Sequence, residues 1–368
     1  MSHNRKKYGL ILYPISIIYG MIVSIRNFLY NADVLKSHEF PIPIISIGNI
    51  TVGGTGKTPH IEFLVRDLKE KFKVAVLSRG YKRKSSGFVL ATSESTVFQI
   101  GDEPKQIKQN FNDIEVAVCE NRAKGIQKLS TEPSNVEVIL LDDAFQHRSV
   151  KPGLSVLLID YYRPMNEDNM LPYGSLRESQ HEKLRANIIV ISKCPKDIKP
   201  IERRIIEKNL SIFPYQSLYF SSINYGILHS VYNEKETLEL EKGQYSILLV
   251  TGIANPYPLK EHLLSYTTNL IQMSYGDHHF FKRSDFEHIA NKFNHIKDDK
   301  KIIITTEKDA TRMRDLHFSD LIKNFPVYYI PIEIEFLNDD KKRFDNQIIN
   351  YIDHNRLKHN KKLTSNKV

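Results

Sequence analysis

Short apolar runs alternate with amphipathic segments along most of the chain. Between the first two runs, residues 60–71 place Ile61, Leu64, Val65 and Leu68 on one face, which predicts a helix. Continuous apolar strands connected by helices are typical of a parallel sheet that is covered on both faces. The pattern therefore predicts an α/β fold. The predicted strands of this first region are 42–47, 74–77, 116–119, 136–141, 156–159 and 188–191.

A charged and mixed stretch, at about residues 195–245, interrupts this alternation. Strand patterns resume at 246–250, 301–305 and 327–332, and they predict a second, smaller α/β domain. We therefore expect four parts in the chain. They are an N-terminal helix over 1–35, a larger α/β domain over 36–222, the smaller α/β domain over 223–340, and a C-terminal helix and tail over 341–368.

The N-terminal segment is uncharged and largely apolar over 9–25 and is flanked by basic residues. A signal peptide is not indicated, because no small-residue cleavage site follows the apolar run. Pro14 predicts the start of the helix, and the uncharged part that remains, 15–25, would measure about 16 Å, or half the core of a bilayer. Three placements stay open: a helix lying on the membrane surface, a helix packed on the protein's own core, and a membrane-spanning helix.

Composition argues against two classes of protein. The formal net charge is +9 and the pI is near 9.2, which favours an anionic partner such as a phosphorylated substrate or an anionic lipid. The basic residues are spread along the chain without an arginine-rich block, so we predict no nucleic-acid partner. Cys119 and Cys194 have no CxxC neighbour, which argues against a zinc site or a disulfide framework and predicts two buried thiols.

The strongest chemical signal is a glycine-rich turn between an apolar strand and a helix, which is the setting of a P-loop. Its glycines would let backbone N–H groups surround phosphate oxygens, Lys57 would reach the β- and γ-phosphates, and Thr58 would bind Mg²⁺. Thr51 stands where the strict pattern has a glycine, so the loop is a variant. The larger domain is therefore predicted to be a P-loop NTPase-like parallel-sheet domain, with its nucleotide held by Gly53, Gly54, Thr55, Gly56, Lys57 and Thr58.

The predicted strand at 136–141 is followed directly by two acids. Residues 138–143 run from apolar residues into Asp142 and Asp143, which is the Walker B arrangement for holding Mg²⁺ beside a P-loop. A GTPase is not indicated, because Phe145 stands where that class has a glycine and the chain has no Asn-Lys-x-Asp sequence. We therefore predict that the nucleotide is ATP and that Mg²⁺ is bound by Thr58, Asp142 and Asp143.

Other polar clusters give weaker signals. In isolation, each of them is more often a solvated or paired charge than a functional group. They lie in turns or near predicted strand ends, where phosphate-binding cations and acid–base groups also occur. These clusters are Arg79, Asp102-Glu103, Arg177-Glu178, Asp277-His278-His279 and Lys308-Asp309.

Seven short motifs follow one another at 46–59, 77–81, 101–104, 141–147, 171–178, 277–278 and 305–309. Each one alone is weak, but their joint order resembles the tetraacyldisaccharide 4'-kinase family, from the N-terminal helix to about residue 336. The departures from the family pattern are modest and remove none of the chemical groups. They are Lys82, Ala144, Tyr173 and Ser175.

The resemblance implies a reaction of lipid A biosynthesis. ATP with Mg²⁺ would donate its γ-phosphoryl group to the 4'-hydroxyl of a tetraacylated glucosamine disaccharide 1-phosphate. Lys57 and Thr58 match the family's phosphate and Mg²⁺ positions, and Asp142 and Asp143 match its acidic pair near the metal. The protein is therefore expected to be a lipid-sugar kinase.

The resemblance also implies a proton-transfer pair. Asp102 and His278 match the two residues that deprotonate the sugar hydroxyl, with Asp277 expected to orient His278, and which of the pair is the base stays open. Because Asp102 and His278 come from the two predicted domains, we hypothesise that domain closure assembles the pair. The residues expected to line the active site are Arg79, Gln146, His147, Arg177 and Glu178.

The expected location follows from the same resemblance. The N-terminal helix matches the family's membrane-associating element, which places the protein at the cytoplasmic face of the bacterial inner membrane as a peripheral or monotopic protein. The expected partners are the lipid substrate and the membrane surface, and no protein partner is implied. Two alternatives stay open: a P-loop kinase that acts on a soluble substrate, and a membrane-bound ATP-binding regulator without turnover.

Overall fold

The computed structural model describes residues 2–131, 135–233, 235–314 and 317–365. Within these ranges the strands form two sheets, one of nine strands and one of six. Numbered in chain order, the strands are β1 (Ile44–Gly48), β2 (Val74–Ser78), β3 (Val89–Leu90), β4 (Glu115–Val118), β5 (Val138–Asp142), β6 (Leu154–Asp160), β7 (Ile188–Ser192), β8 (Ser217–Tyr225), β9 (Leu228–Ser230), β10 (Thr237–Leu238), β11 (Ser246–Thr251), β12 (Leu270–Ser274), β13 (Lys301–Thr306), β14 (Val327–Ile330) and β15 (Ile332–Phe336).

Helices connect or flank these strands. In chain order the α-helices of the described residues are α1 (Ser2–Asn31), α2 (Lys57–Leu68), α3 (Val97–Ile100), α4 (Asp102–Asn110), α5 (Arg122–Thr131), α6 (Pro200–Leu210), α7 (Tyr257–Leu264), α8 (Arg283–Asn294), α9 (Glu307–Arg314) and α10 (Asp340–Ser365). Short 3₁₀ turns lie at Met165–Glu167, Gln180–Arg185 and His317–Leu321.

The larger sheet confirms the predicted α/β architecture. Its order is β15-β8-β7-β6-β1-β5-β2-β4-β3, in which the inner strands run parallel and the two edge strands run antiparallel. β1, β2, β5, β6 and β7 are buried along their whole length, as expected for strands covered on both faces. Because β1 lies between β5 and β6, the turn that follows β1 is adjacent to the acidic end of β5.

The prediction that Pro14 opens the N-terminal helix is wrong, because Pro14 lies inside α1. A proline in a helix interior removes one hydrogen bond and costs about 3 kcal/mol. The carbonyl that loses its donor belongs to Leu10, which is 97% exposed, so the surroundings can satisfy it. The apolar part Gly9–Asn31 has 23 residues and a mean hydropathy of 1.6, and it measures about 35 Å. Length therefore does not exclude a membrane-spanning placement.

The smaller sheet has the order β10-β9-β14-β13-β11-β12. β12, β11, β13 and β14 run parallel, while β9 and β10 add an antiparallel edge. The predicted strands at 246–250 and 301–305 are confirmed as β11 and β13. The one predicted at 327–332 is divided at Pro331, and its two parts enter different sheets.

The chain returns to the larger sheet after β14. β15 pairs antiparallel with β8, and its Ile334 and Phe336 join the larger core while the glutamates between and before them point outward. α10 then packs Phe344, Ile348 and Ile352, spaced four residues apart, against the same core. Residues 332–336, which the sequence pattern assigned to the smaller domain, therefore hydrogen-bond into the larger sheet.

The two cysteines are buried and free, as predicted. Cys119 is 3% exposed and Cys194 is 4% exposed, and both belong to apolar clusters that cover the larger sheet. Burial raises the pKa of the Cys194 thiol to about 12. Both residues therefore act as small core side chains.

Candidate active site

The turn after β1 has the backbone of a phosphate-binding loop. Gly53 and Gly56 have φ angles of 97° and 84°, a region that residues with a side chain rarely adopt. A Cβ atom at Gly53 would also lie 2.9 Å from Arg163 Nη1. α2 begins directly after Gly56, so Lys57 and Thr58 form its first turn, where free backbone N–H groups favour an anion.

The loop is held in place from the neighbouring strands. Lys193, just past the end of β7, donates a hydrogen bond to the carbonyl of Gly54 and forms an ion pair with Asp160 at 2.8 Å. Ser192 Oγ donates to the carbonyl of Thr55 at 2.9 Å. These contacts engage carbonyl groups of the loop, which leaves its N–H groups available for phosphate oxygens.

Asp142 is fully buried at the C-terminal end of β5. Its Oδ2 accepts a hydrogen bond from Ser78 Oγ at 3.2 Å, whereas its Oδ1 has no hydrogen-bond partner among the described residues. Burial, followed by the negative charges of Glu103 and Asp143, raises the pKa of Asp142 to about 7. A cation at Oδ1 would offset this penalty, so the lone oxygen is a candidate metal ligand.

Asp143 has a different environment. It accepts two hydrogen bonds from Arg177, at 2.9 and 3.1 Å, and its Oδ1 lies 3.6 Å from Lys57 Nζ. Burial alone would raise the pKa of Asp143, but Lys57 and Arg177 hold it well below its usual range. Lys57 also donates to Asn49 Oδ1 at 3.3 Å. The two predicted metal-binding acids therefore differ, since Asp143 is already paired and Asp142 is not.

The donor set fits Mg²⁺. No cluster of three or more His, Cys, Asp or Glu residues that could hold a metal occurs within the described part of the chain. Mg²⁺ does not need one, because it is commonly bound through one or two carboxylates together with phosphate oxygens and water. Asp142 Oδ1 and the Thr58 hydroxyl offer the oxygen ligands that it prefers.

The structure brings the predicted proton-transfer pair together. Asp102 is the first residue of α4, and its Oδ2 lies 2.9 Å from Nδ1 of His278, in the loop after β12. The same oxygen accepts from Nε and Nη2 of Arg312 at 2.9 and 2.6 Å. Burial alone would raise the pKa of Asp102, but Lys308, His278 and Arg312 together hold it well below its usual range. Asp102 is therefore an ionised carboxylate.

The hydrogen bonds of His278 define its tautomer. An ionised Asp102 can only accept a hydrogen bond, so Nδ1 of His278 must carry the proton and donate it. Nε2 of His278 therefore carries the lone pair. Lys308 Nζ lies 3.3 Å from Nε2, as a donor facing that lone pair would. Asp277 Oδ1 approaches Nε2 only to 4.0 Å, which is longer than a hydrogen bond. The residue that orients the ring is therefore Asp102, in contrast to the predicted role of Asp277.

Three of the predicted lining residues form one network beneath α1. Gln146 Nε2 donates to the carbonyl of Asn49 at 2.8 Å and to Glu178 Oε2 at 3.3 Å. Glu178 is buried and accepts a hydrogen bond from Asn27 of α1 at 3.3 Å. Arg177 donates to Asn49 and Asp143. The network thus connects the P-loop, the acidic pair and the N-terminal helix.

The other two predicted lining residues, His147 and Arg79, lie after β5 and β2. Burial, followed by the positive charges of Arg122 and Arg79, lowers the pKa of His147 to about 4, so this imidazole is neutral at pH 7. Arg79 is exposed directly after β2. Both follow strands whose C-terminal ends share an edge with the P-loop.

Sequence reasoning missed two buried arginines in this region. Arg122 is fully buried, and it donates to the carbonyls of Cys119 and Asp142 at 2.7 and 3.1 Å. Arg312 is 2% exposed and contacts Asp102. No local motif marks either residue, because their burial depends on segments that are distant in sequence. Lys193 was likewise missed, although its position at a strand end is a usable signal.

Comparison with known proteins identifies a family for this chain. The family model described as tetraacyldisaccharide-1-P 4'-kinase matches residues 8–353. Tetraacyldisaccharide 4'-kinase from Bacteroides thetaiotaomicron is 49% identical over 359 residues, covering 94% of this chain and 93% of the relative. The enzyme of the same name from Flavobacterium psychrophilum is 44% identical over 345 residues, covering 93% of this chain and 96% of the relative.

A solved structure shares the fold. The crystal structure of LpxK from Aquifex aeolicus in complex with ATP superposes with a TM-score of 0.70 at 26% sequence identity, covering 95% of this chain and 99% of that one. The match extends across both sheets. The chain therefore belongs to the tetraacyldisaccharide-1-P 4'-kinase family.

Proposed function

We propose that this chain transfers the γ-phosphoryl group of ATP to the 4'-hydroxyl of a tetraacyldisaccharide 1-phosphate, the reaction for which its relatives are named. The observation that carries the proposal is the 2.9 Å contact between Asp102 and His278 in a P-loop protein. A sugar hydroxyl is a weak nucleophile, and an imidazole oriented by a carboxylate is suited to accept its proton. A phosphate-binding loop without such a pair would suit many other enzymes.

The P-loop side holds the donor. Lys57 and the N–H groups of the loop and of the first turn of α2 bind the phosphates and stabilise the charge that develops during transfer. Mg²⁺, when bound, would neutralise negative charge on the phosphates. Asp142 and Thr58 are the residues that would hold it, and Arg177 keeps Asp143 and Asn49 in register with Lys57.

His278 is the base in this proposal. Three positively charged or hydrogen-bonding groups, Arg312, Lys308 and His278, surround the Asp102 carboxylate and make it a poor proton acceptor. His278 Nε2 carries the lone pair and takes the proton of the hydroxyl. Asp102 holds the ring by its Nδ1–H and stabilises the imidazolium that forms.

α1 lies on the cytoplasmic membrane surface in this proposal. Only 6% of its apolar window is buried, so packing on the protein's own core does not account for it. Ile18, Ile22 and Ile25 are 53%, 61% and 60% exposed. Another part of the helix contacts the site, with Tyr19 Oη donating to the carbonyl of Arg177 at 3.1 Å. An interfacial helix would thus hold the acyl chains next to the catalytic residues.

Vesicle binding tests this placement. We expect the double variant Ile22→Asp/Ile25→Asp to lose most co-sedimentation with anionic phospholipid vesicles. The matched control is Ile201→Asp/Ile205→Asp on α6, whose residues are 59% and 51% exposed, and it should bind normally. Equal binding of both variants would contradict the interfacial placement. Resistance of the wild type to extraction at high pH would indicate a spanning helix instead.

The activity itself is tested with γ-labelled ATP, Mg²⁺ and a detergent-dispersed tetraacyldisaccharide 1-phosphate, using wild type and Asp102→Ala. We expect labelled lipid with the wild type and little with the variant. Transfer of label only to soluble sugar alcohols would favour a kinase for a soluble substrate. ATP binding without transfer to any acceptor would favour a regulator and overturn the proposal.

A further inference from the structure

Arg312 is a deeply buried arginine next to the proton-transfer pair. It lies on α9 of the smaller sheet, is 2% exposed, and reaches the larger sheet's α4. A guanidinium this deeply buried must be almost fully hydrogen-bonded to be tolerated. Its contacts show what it is bound to.

Arg312 divides its donors between the two sheets. On one side, Nε and Nη2 donate to Asp102 Oδ2 at 2.9 and 2.6 Å. On the other side, Nη1 donates to Asp309 Oδ1 at 2.7 Å and to the carbonyl of Gly252 at 3.1 Å. Asp309 is fixed in turn, because its Oδ2 accepts from the Gly252 N–H at 2.8 Å and from Thr306 Oγ1 at 2.7 Å.

Gly252 connects this frame to the base. Its carbonyl accepts a hydrogen bond from the backbone N–H of His278 at 3.2 Å, in addition to the one from Arg312. The approach is close, since a Cβ atom at Gly252 would lie 2.9 Å from Asp309 Oδ1. One guanidinium therefore reaches both members of the pair: directly the carboxylate of Asp102, and through Gly252 the loop that carries His278.

We propose that Arg312 is a positioning residue for proton transfer, which fixes Asp102 and the His278 loop in one hydrogen-bonded frame that joins the two sheets. The proposal rests on the function proposed above, in which His278 is the base. Within the described residues, the hydrogen bonds of Arg312 go to Asp102, Asp309 and Gly252, and none goes to the P-loop or to a candidate metal ligand. Its removal should therefore affect turnover rather than ATP binding.

The charges around the pair determine the expected pH effect. Asp102 faces the positive charges of Arg312 and Lys308. Two further acids lie close to these cations, because Glu103 pairs with Lys308 and Asp309 pairs with Arg312. Asp277 and Lys82 are the charged residues near the His278 loop. Loss of the Arg312 charge removes one of the groups that hold the pKa of Asp102 below its usual range. The acid limb of the kcat/KM profile should therefore move to higher pH.

The experiment compares Arg312→Ala and Arg312→Lys with the control Arg314→Ala. Arg314 is two residues further along α9 and donates to the carbonyl of Val231, away from the pair. We expect Arg312→Ala to lower kcat about 100-fold, since a small misplacement of a reacting group has an effect of this order. KM for ATP should stay within about twofold, and added guanidinium should restore part of kcat. Arg312→Lys should be intermediate, because an ammonium cannot reproduce the fork.

A readout independent of turnover separates this proposal from the proposed function. In ¹⁵N-histidine-labelled protein, the Nδ1–H proton of His278 should give a downfield hydrogen-bonded signal in the wild type and in Arg314→Ala, and it should be lost in Arg312→Ala. If wild type transfers no phosphate but this signal behaves as expected, the function fails and the positioning role stands. A retained signal with wild-type kcat, or a loss of kcat with equal loss of ATP binding and no guanidinium rescue, overturns the positioning role.

Discussion

The two halves of the candidate site are built in different ways. The phosphate-binding half comes from neighbouring strand ends of one sheet, with Lys57 and Thr58 directly after β1 and Asp142 at the end of β5. The proton-accepting half is shared between sheets, because Asp102 starts α4 of the larger sheet while His278 follows β12 of the smaller one. The first half depends on local backbone geometry, and the second depends on how the two sheets meet.

Because the two halves are built separately, we expect mutations in them to affect ATP binding and catalytic turnover differently. A change in the phosphate-binding half alters contacts with ATP and should affect both KM for ATP and kcat. A change in the proton-accepting half leaves the P-loop untouched and should affect kcat alone. The hypothesis that domain closure assembles the pair stays a prediction. In this structure Asp102 and His278 are already in hydrogen-bond contact.

The largest expected effect comes from Asp102→Asn. An amide lacks the negative charge that holds the Nδ1–H of His278 and stabilises the imidazolium, and kcat should fall about 10³–10⁴-fold, the order of loss when the same substitution is made in a Ser-His-Asp triad. KM for ATP should not change. The exposed Asp113→Asn, which loses an ion pair with Lys69, is the control. A turnover of Asp102→Asn within tenfold of wild type would show that the pair does not carry proton transfer.

Lys57→Ala should follow, with a loss of about 10²–10³-fold in kcat, the effect of removing one preorganised donor from a developing anion. Unlike the aspartate variant, it should also weaken ATP binding, measured by calorimetry with a non-hydrolysable ATP analogue. Lys69→Ala, at the other end of α2, should leave both quantities unchanged. Unchanged ATP affinity in Lys57→Ala would contradict the division between the two halves.

Ser78→Ala should have a smaller effect, specific to the metal. Ser78 orients Asp142 through a 3.2 Å hydrogen bond to the oxygen that is not the candidate ligand. Loss of such an outer contact commonly weakens metal binding about 10-fold or more. The Mg²⁺ concentration for half-maximal activity should rise accordingly, while kcat at saturating Mg²⁺ stays close to wild type. A fall in kcat that excess Mg²⁺ does not recover would argue against Asp142 as a ligand.

The smallest effect concerns the contact between the sheets. Glu62 of α2 and Glu307 of α9 are bridged by Gln106 and Asn110 of α4, which donate to both carboxyl groups at 2.8 to 3.3 Å. Burial, followed by the charge of Glu307, raises the pKa of Glu62 to about 8. Burial also raises the pKa of Glu307.

The sign of the pH dependence follows. Between about pH 4.5 and 8 the unfolded chain has released the Glu62 proton while the folded protein keeps it, so stability falls as pH rises. Glu62→Gln removes this titration. The decrease in unfolding free energy from pH 5 to pH 8 should be smaller in the variant by at least about 1 kcal/mol, the value of roughly one pKa unit. Denaturant unfolding measures it, with the exposed Glu70→Gln as control. Parallel pH profiles would contradict the buried protonated carboxyl.

The phosphate-binding half could be predicted from the sequence, whereas the contacts of the proton-accepting half could be predicted only in part. Lys57, Thr58 and Asp142 could be predicted as candidate site residues because each lies in a short segment whose strand, turn or helix can be recognised from local sequence. The burial of Arg312 was not readable, because α9 is rich in charged residues and its partner Asp102 lies 210 positions earlier. The continuation of α1 past Pro14 was also not predicted, because proline is only statistically enriched at helix starts. Contacts between the two sheets determine the burial of Arg312, whereas the exposure of Leu10 lets α1 continue through Pro14.

The central claim is that His278 is the base of a site assembled from both sheets, and chemical rescue tests it most directly. His278 has a φ angle of 54°, which glycine adopts without strain, so His278→Gly should keep the loop and leave room for free imidazole. We expect imidazole to restore part of kcat in His278→Gly, with methyl-substituted imidazoles ranked by basicity, and to do nothing for Lys57→Ala. Wild-type turnover in His278→Gly, or no rescue in a folded variant that binds ATP, would contradict the account.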